Sequence, residues 1–382
     1  MSDFPLLADA RALFALPADT SYLNAAYMGP MPEASISAGE QAYRRRATPW
    51  AFDLETEFFA VPEQVRAQGA KLFQASADDI ALVTSASYGL AVAARNIALA
   101  PGQEILVLAG QFPSNVYVWQ ALARQTGAQI VTVARQGNES WTDAISRHIG
   151  PATGLLACPA VHWIDGGLID LPALRPALDS AGAALVLDLT QSLGVLPFDV
   201  SACRPDFAVA AGYKWLLGPY QTGLLYVAPH HQGGAPLEEN WINRQGASDF
   251  ARLVDYQDAY ETGARRFDAG ERSAFQTLPA FLASLNLLNH YGADAIEAQL
   301  ADLTRQLAEL AAPFGLKPAT AARAPHYLAL ALPDTAPGDL LSRFQRRGVH
   351  LSRRGDSLRI SPHIYNNGHD LARFADTLKA VF

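Results

Sequence analysis

Two side chains of complementary chemistry stand 214 − 188 = 26 residues apart, each at the end of a short apolar run. Asp188 lies in VLDLTQSLG, and Lys214 lies in FAVAAGYKWLLGP. That interval matches a strand, a crossover and a second strand. If the two strands are parallel neighbours, carboxylate and amine emerge at one carboxyl-terminal sheet edge, where open α/β sheets bind ligands. A fixed amine condenses with an aldehyde. A carboxylate beside a pyridine nitrogen keeps that nitrogen protonated, since a nearby opposite charge favours the charged form. The pair therefore suits a pyridoxal cofactor, whose protonated ring draws electrons from a substrate α-carbon. The spacing also fits a strand-end salt bridge on a surface loop, and by itself leaves both readings open.

The elements that must hold such a pair are legible as short apolar runs at 80–83, 104–108, 129–133, 154–158, 184–187, 207–210 and 223–227. Amphipathic stretches such as 116–126 and 172–181 separate several of them, the alternation expected of a largely parallel sheet with helices on both faces. Beyond about residue 275 the pattern changes. Long helices are expected at 273–289 and 293–312, then a strand at 326–332, a helix at 338–347, a strand at 357–360 and a helix at 370–381. The fold class expected is α/β: a mostly parallel seven-stranded large-domain sheet, plus a smaller α+β C-terminal domain. The boundaries expected are 15–272 for the large domain and 273–382 for the small one, with residues 1–14 packing on the latter.

Composition narrows the function classes. The chain has 382 residues, 50% of them hydrophobic and only 17% charged, so much of it must be buried in a core or a subunit interface. A net charge of −8 argues against a nucleic-acid surface. Two cysteines make no disulfide framework, and neither CxxC nor His-rich ligand spacing appears, so no metal is expected. No GxGxxG turn announces a dinucleotide module. The opening MSDFPLLADARALFALPADT carries early acids and no basic-then-apolar run, and Arg95 interrupts the best apolar stretch. A cytoplasmic protein with no membrane partner is the expectation.

Other motifs surround the pair in a set order: YLNAAYMGPMP from Tyr22, TSASYGLAVAARN, GQFPSNVYVWQ, DLTQSLG, AGYK, RRFDAGERSAF and, from Arg359, RISPHIYNN. In these motifs and their order the chain resembles the class V aminotransferases, over nearly its whole length. They are a branch of the fold-type-I pyridoxal-phosphate enzymes that includes aminotransferases, cysteine desulfurases, kynureninase and isopenicillin N epimerase. The resemblance implies pyridoxal 5'-phosphate as cofactor, Lys214 as its tether and Asp188 as partner of its ring nitrogen. It implies further that Ala86 and Ser87 hold the phosphate at a helix N-terminus, where free N–H groups and a partial positive charge favour anions. Ser87 also reads as an ordinary helix cap.

By the same resemblance Phe112 covers the ring face, where desulfurases carry histidine, and Gln191 donates to the phenolic oxygen. Tyr213 contacts phosphate, and Trp241 stands near it. Phe112 and Tyr213 are kynureninase-like choices. Arg359 grips the substrate carboxylate through two parallel hydrogen bonds, Asn24 lies in the N-terminal segment that closes over the substrate, and His162, with Trp163, lines the pocket. A lone histidine reads equally as a satisfied wall residue. The segment 265–275 occupies the place of one that reaches the partner subunit's phosphate, although Glu271 stands where threonine is common. A homodimer is implied. A desulfurase needs a cysteine on the loop before Arg359, and GVHLSRRGD (348–356) has none. The activity expected is amino-acid chemistry at the α-carbon, an aminotransferase first. A kynureninase-like or C–S lyase and an epimerase are the alternatives, and a catalytically silent binding protein of the same fold is the non-enzyme one.

Overall fold

The computed structural model describes residues 4–382. Seven strands form the central sheet: β1 (Ile80–Val83), β2 (Glu104–Leu108), β3 (Gln129–Val133), β4 (Thr153–Pro159), β5 (Ala184–Asp188), β6 (Phe207–Ala211) and β7 (Gly223–Val227). Their spatial order is β1-β7-β6-β5-β4-β2-β3. The pairs from β3 through to β6 are parallel, whereas β7 runs antiparallel to both β6 and β1. Both faces are covered, which is why the strands read as continuous apolar runs. The pleat still sorts them. Val83, Val107, Leu155, Val186 and Val209 pack with Leu90 and Trp119 of the helices Ala86–Asn96 and Ser114–Thr126. Leu82, Leu106, Leu156, Leu185 and Leu187 face Val65, Leu174 and Phe281 on the opposite side.

The linking helix runs Leu278–Tyr291 rather than from 273, because Pro279 has no N–H to give a preceding turn and is accommodated only in the first turn. Gly292, at φ 79°, breaks it from Ala293–Ala311. The C-terminal part carries a four-stranded antiparallel sheet in the order Ser352–Arg354, Ser357–Ile360, Leu328–Ala331, Lys317–Pro318. The helix Gly368–Val381 packs on it, opened by a capping box between Asn367 and Asp370. The N-terminal segment is tied to this part of the chain: Ser21–Tyr22 pairs in parallel with Val349–His350, Asn24 bridges to Ser361, and Arg11 contacts Asp370 at 3.3 Å.

Candidate active site

β5 and β6 are adjacent and parallel, with Asp188 opposite Val209. Asp188 ends its strand, and Lys214 lies just beyond the end of β6, so both emerge at the carboxyl edge. They line one cavity of about 470 Å³, and both are nearly buried, at 9% and 8% exposure. The Thr190 N–H donates to Asp188 Oδ1 at 3.0 Å, and Thr190 Oγ1 accepts from the Ala211 N–H at 3.2 Å. That pair of bonds stitches the two strand ends together. Burial pushes the Lys214 ammonium down to about 8; Asp188 resists the drop, while Arg359 and Arg354 add to it. An amine so placed is a better nucleophile near neutrality than a solvated lysine.

Across the cavity stands the N-terminus of the helix Ala86–Asn96. Ser85, not Ser87, is its cap: Ser85 Oγ accepts from the Tyr88 N–H at 3.1 Å and lies 2.9 Å from Ser87 Oγ. Ala86 and Ser87 thus stand in the first turn, whose N–H groups have no acceptor within the helix. Phe112 is 40% exposed and is no core residue; its ring lies 5.5 Å from Lys214 Nζ and edge-on to Trp163. Tyr213 lines the cavity beside Tyr220, with ring centroids 4.6 Å apart. Gln191 also reaches it, although both ends of its amide have partners. Its Nε2 donates to the Ala26 carbonyl at 3.2 Å, and its Oε1 accepts from Trp215 Nε1 at 2.8 Å.

Two buried histidines secure that corner, and the sequence reading passed over both. His326 Nε2 donates to the Gln191 carbonyl at 2.7 Å, and His363 Nε2 donates to the Trp215 carbonyl at 3.0 Å. Burial drives their pKa values down to about 3 and about 4, so both are neutral donors. They sit 135 and 148 residues from their partners, and although His363 falls within RISPHIYNN, nothing local marks either as a brace.

Arg359 is buried at 1% exposure behind Trp163. Its Nε donates to Ser352 Oγ at 2.9 Å and its Nη1 to the Trp163 carbonyl at 3.4 Å, whereas Nη2 is buried with no partner. The Ser352 hydroxyl in turn donates to Asn24 Oδ1 at 3.0 Å, which connects the N-terminal segment to the arginine. A guanidinium nitrogen left unpaired in the interior is costly and suits an incoming carboxylate.

Arg359 and Asn24 are not among the residues that line the cavity, and two further expected residues, His162 and Trp241, are turned elsewhere. His162 does not line the cavity. Its Nδ1 meets Asp165 Oδ1 at 3.0 Å, its Nε2 meets the Ala109 carbonyl at 3.2 Å, and its ring packs on Trp141. Only its neighbour Trp163 faces the cavity. Trp241 lies 43% exposed against Phe58 and Phe250, away from the cavity of the same chain. In the segment 265–275, Asp268 is the structural centre: its carboxylate accepts from the Leu82 N–H at 2.7 Å, Arg66 Nη2 at 2.7 Å and Arg272 Nη1 at 2.9 Å. Glu271 follows with φ 57°. At the opposite sheet edge Asp206 Oδ1 meets His230 and His231 at 3.0 and 2.9 Å, a cluster the spacing argument did not anticipate. Both cysteines are buried, Cys158 within β4, and desolvation raises both thiols, Cys203 to about 12. Among the described residues no helix is long and apolar enough to cross a membrane.

The family model described as Aminotransferase class-V matches residues 22–374. Among curated relatives, an uncharacterized aminotransferase, YcbU of Bacillus subtilis, is 28% identical over 336 residues, covering 88% of this chain and 86% of that protein. A kynureninase of Deinococcus radiodurans is 30% identical over 317 residues, covering 80% of this chain and 75% of that one. Among solved structures, the cysteine desulfurase CsdA of Escherichia coli superposes with a TM-score of 0.84 at 22% identity, covering 99% of both chains. The cystine C–S lyase C-DES does so with a TM-score of 0.82 at 20% identity, covering 94% of this chain and 97% of that one. At those identities the structural likeness speaks for the fold.

Proposed function

The chain belongs to the class V aminotransferase family, and on that premise we propose that it is a pyridoxal 5'-phosphate enzyme working at the α-carbon of an amino acid, with transamination as its reaction. The observation that carries the reading is the convergence of Lys214, Asp188 and the N-terminus of the helix Ala86–Asn96 on one cavity. An amine, an anion and a phosphate seat are the three groups this cofactor requires, and the buried, unpaired Arg359 Nη2 adds a place for a substrate carboxylate. The residues present therefore fit it.

When bound, the cofactor supplies an electron sink for charge that develops at the substrate α-carbon. The chain supplies the rest. Ala86 and Ser87 N–H groups, with the Ser87 hydroxyl, would hold the phosphate, in a cavity that Tyr213 also lines. Phe112 covers the ring face. Asp188 would keep the ring nitrogen protonated, and Gln191 Nε2, bonded to Ala26 through one N–H, would give its other to the phenolic oxygen. Lys214 would be the tethering amine, and its free Nζ would carry the substrate α-proton. Arg359, braced by Ser352 and Asn24, would hold the substrate carboxylate and so orient the bonds at its α-carbon.

A lyase reading is favoured by two features, the likeness to kynureninase and the presence of both Phe112 and Tyr213, the kynureninase-like residue types at those positions. Desulfurase chemistry is disfavoured, since residues 348–356 hold no thiol and both cysteines are buried. Borohydride reduction should leave a cofactor-linked peptide containing Lys214; its absence refutes the assignment and leaves the silent binding protein. A panel of amino acids, read for oxo acid, ammonia and sulfide, separates transaminase from lyase. A homodimer accompanies the reading, supported by the aromatic surface of Trp50, Trp241, Tyr256 and their neighbours. Sedimentation as a monomer alone would count against it.

A further inference from the structure

Three arginines stand on the hairpin formed by Ser352–Arg354 and Ser357–Ile360, and their surroundings differ. Alternate residues of a strand point to opposite faces, so Ser352 and Arg354 share one face and Arg353 takes the other. Ser352 is directly opposite Arg359 in the ladder and accepts its Nε–H at 2.9 Å, which puts Arg359 on the face of Arg354. Arg353, on the far face, pairs with Asp356 at 3.4 Å and donates to the Gly355 carbonyl at 2.9 Å.

Arg354 has no such partner. Its Nη1 donates to the Arg353 carbonyl at 2.8 Å, and its guanidinium carbon lies 5.8 Å over the Trp163 ring. Arg359 reaches the same tryptophan through its carbonyl and keeps Nη2 unpaired. Two guanidinium groups thus occupy one face, converge on a residue that lines the Lys214 cavity, and among the described residues neither meets a carboxylate. Like charges held this close repel, and a planar anion placed between them relieves that repulsion while filling the open donors. Stacking on Trp163 holds the Arg354 fork in place for such a ligand.

We propose that Arg354 forms a second carboxylate subsite beside Arg359, so that the substrate is an amino acid whose side chain ends in a carboxylate. The inference rests on the cofactor reading above and names the substrate class for the same site. Arg359 takes the α-carboxylate, and Arg354 takes the side-chain carboxylate at the mouth.

The test is calorimetric titration of the pyridoxal-phosphate-loaded protein with succinate and glutarate, against propionate and butyrate. The dicarboxylates should bind about 10- to 100-fold more tightly, the span expected for hydrogen bonds to a charged group. Arg354→Gln should collapse that ratio towards one, because the dicarboxylates lose affinity, whereas Arg353→Gln on the opposite face should preserve it. Arg359→Lys should weaken both classes. Equal affinities in the unaltered protein, or a ratio that survives Arg354→Gln, overturn the subsite. Failure of the cofactor reading shows itself earlier and separately, as no reducible Lys214 adduct before any acid is added, and it overturns this inference with it.

Discussion

The depressed basicity of Lys214 gives a test that needs neither substrate nor knowledge of the reaction. Folding removes this amine from water, and its pKa falls from 10.5 to about 8. At pH 7.5 about a quarter of such amines are neutral, against roughly one in a thousand for an ordinary lysine. In the cofactor-free protein, Lys214 should therefore acylate a few hundred times faster than a solvated lysine, after correction for access. The assay is pulse acetylation across pH 6–11 with the Lys214 peptide quantified by mass spectrometry. The half-maximal rate should fall near pH 8. Asp188→Asn removes the anion that holds the ammonium in place, so the half-point should move lower still, even as catalysis is lost. That opposition separates an electrostatic effect from general damage. A profile that rises only near pH 10.5, or one that moves upward in Asp188→Asn, refutes the reasoning. The stability sign follows. Between about pH 8 and 10.5 the unfolded chain holds a proton that the folded chain has released, so stability of the cofactor-free protein rises with pH through that window, by about 3 kcal/mol from this group.

Lys214→Ala should abolish turnover yet still permit some pyridoxal phosphate to bind, seen as absorbance that dialysis removes; normal activity would end the assignment. Ser352→Ala should raise KM about tenfold with little change in kcat, since it unties Arg359 Nε and Asn24 without touching substrate; an unchanged KM would dismiss that positioning role. Gly29→Ala should cut activity, because its Cβ would lie 2.3 Å from the Lys214 carbonyl and 2.8 Å from Leu217 Cδ2; wild-type kinetics would show that the Lys214 turn tolerates displacement. Asp268→Ala should cost about 3–5 kcal/mol by urea unfolding, because Arg66 and Arg272 would remain buried without their anion; a loss under 1 kcal/mol contradicts that account.

What sequence could and could not reveal follows from the range of the forces involved. The large-domain strands were legible because burial on both faces writes each one as an apolar run, and β1, β2, β3 and β7 coincide with the runs at 80–83, 104–108, 129–133 and 223–227. The pairing of Asp188 with Lys214 was legible for the same reason: each ends or closely follows such a run, and parallel neighbours share an edge. The reversed direction of β7 was not, since an apolar run carries no record of polarity. Side-chain aim was less legible still. His162 and Trp163 are consecutive and follow β4, yet one turns to Asp165 and Trp141 while the other faces the cavity, a choice made by Asp165 three residues on. The braces were invisible for a different reason. His326 and His363 act across more than a hundred residues of chain, Ser352 links Arg359 to Asn24 at the other end of it, and a serine or histidine in isolation has no periodicity to betray it. The groups proposed to hold cofactor and substrate thus lie mostly in motifs, whereas those that aim them come from wherever the fold brings a donor. The proposed Arg354 subsite is an exception, a ligand group outside the motifs: its position is set by strand alternation on a short hairpin, and its meaning only by the partner that Arg353 has and Arg354 lacks.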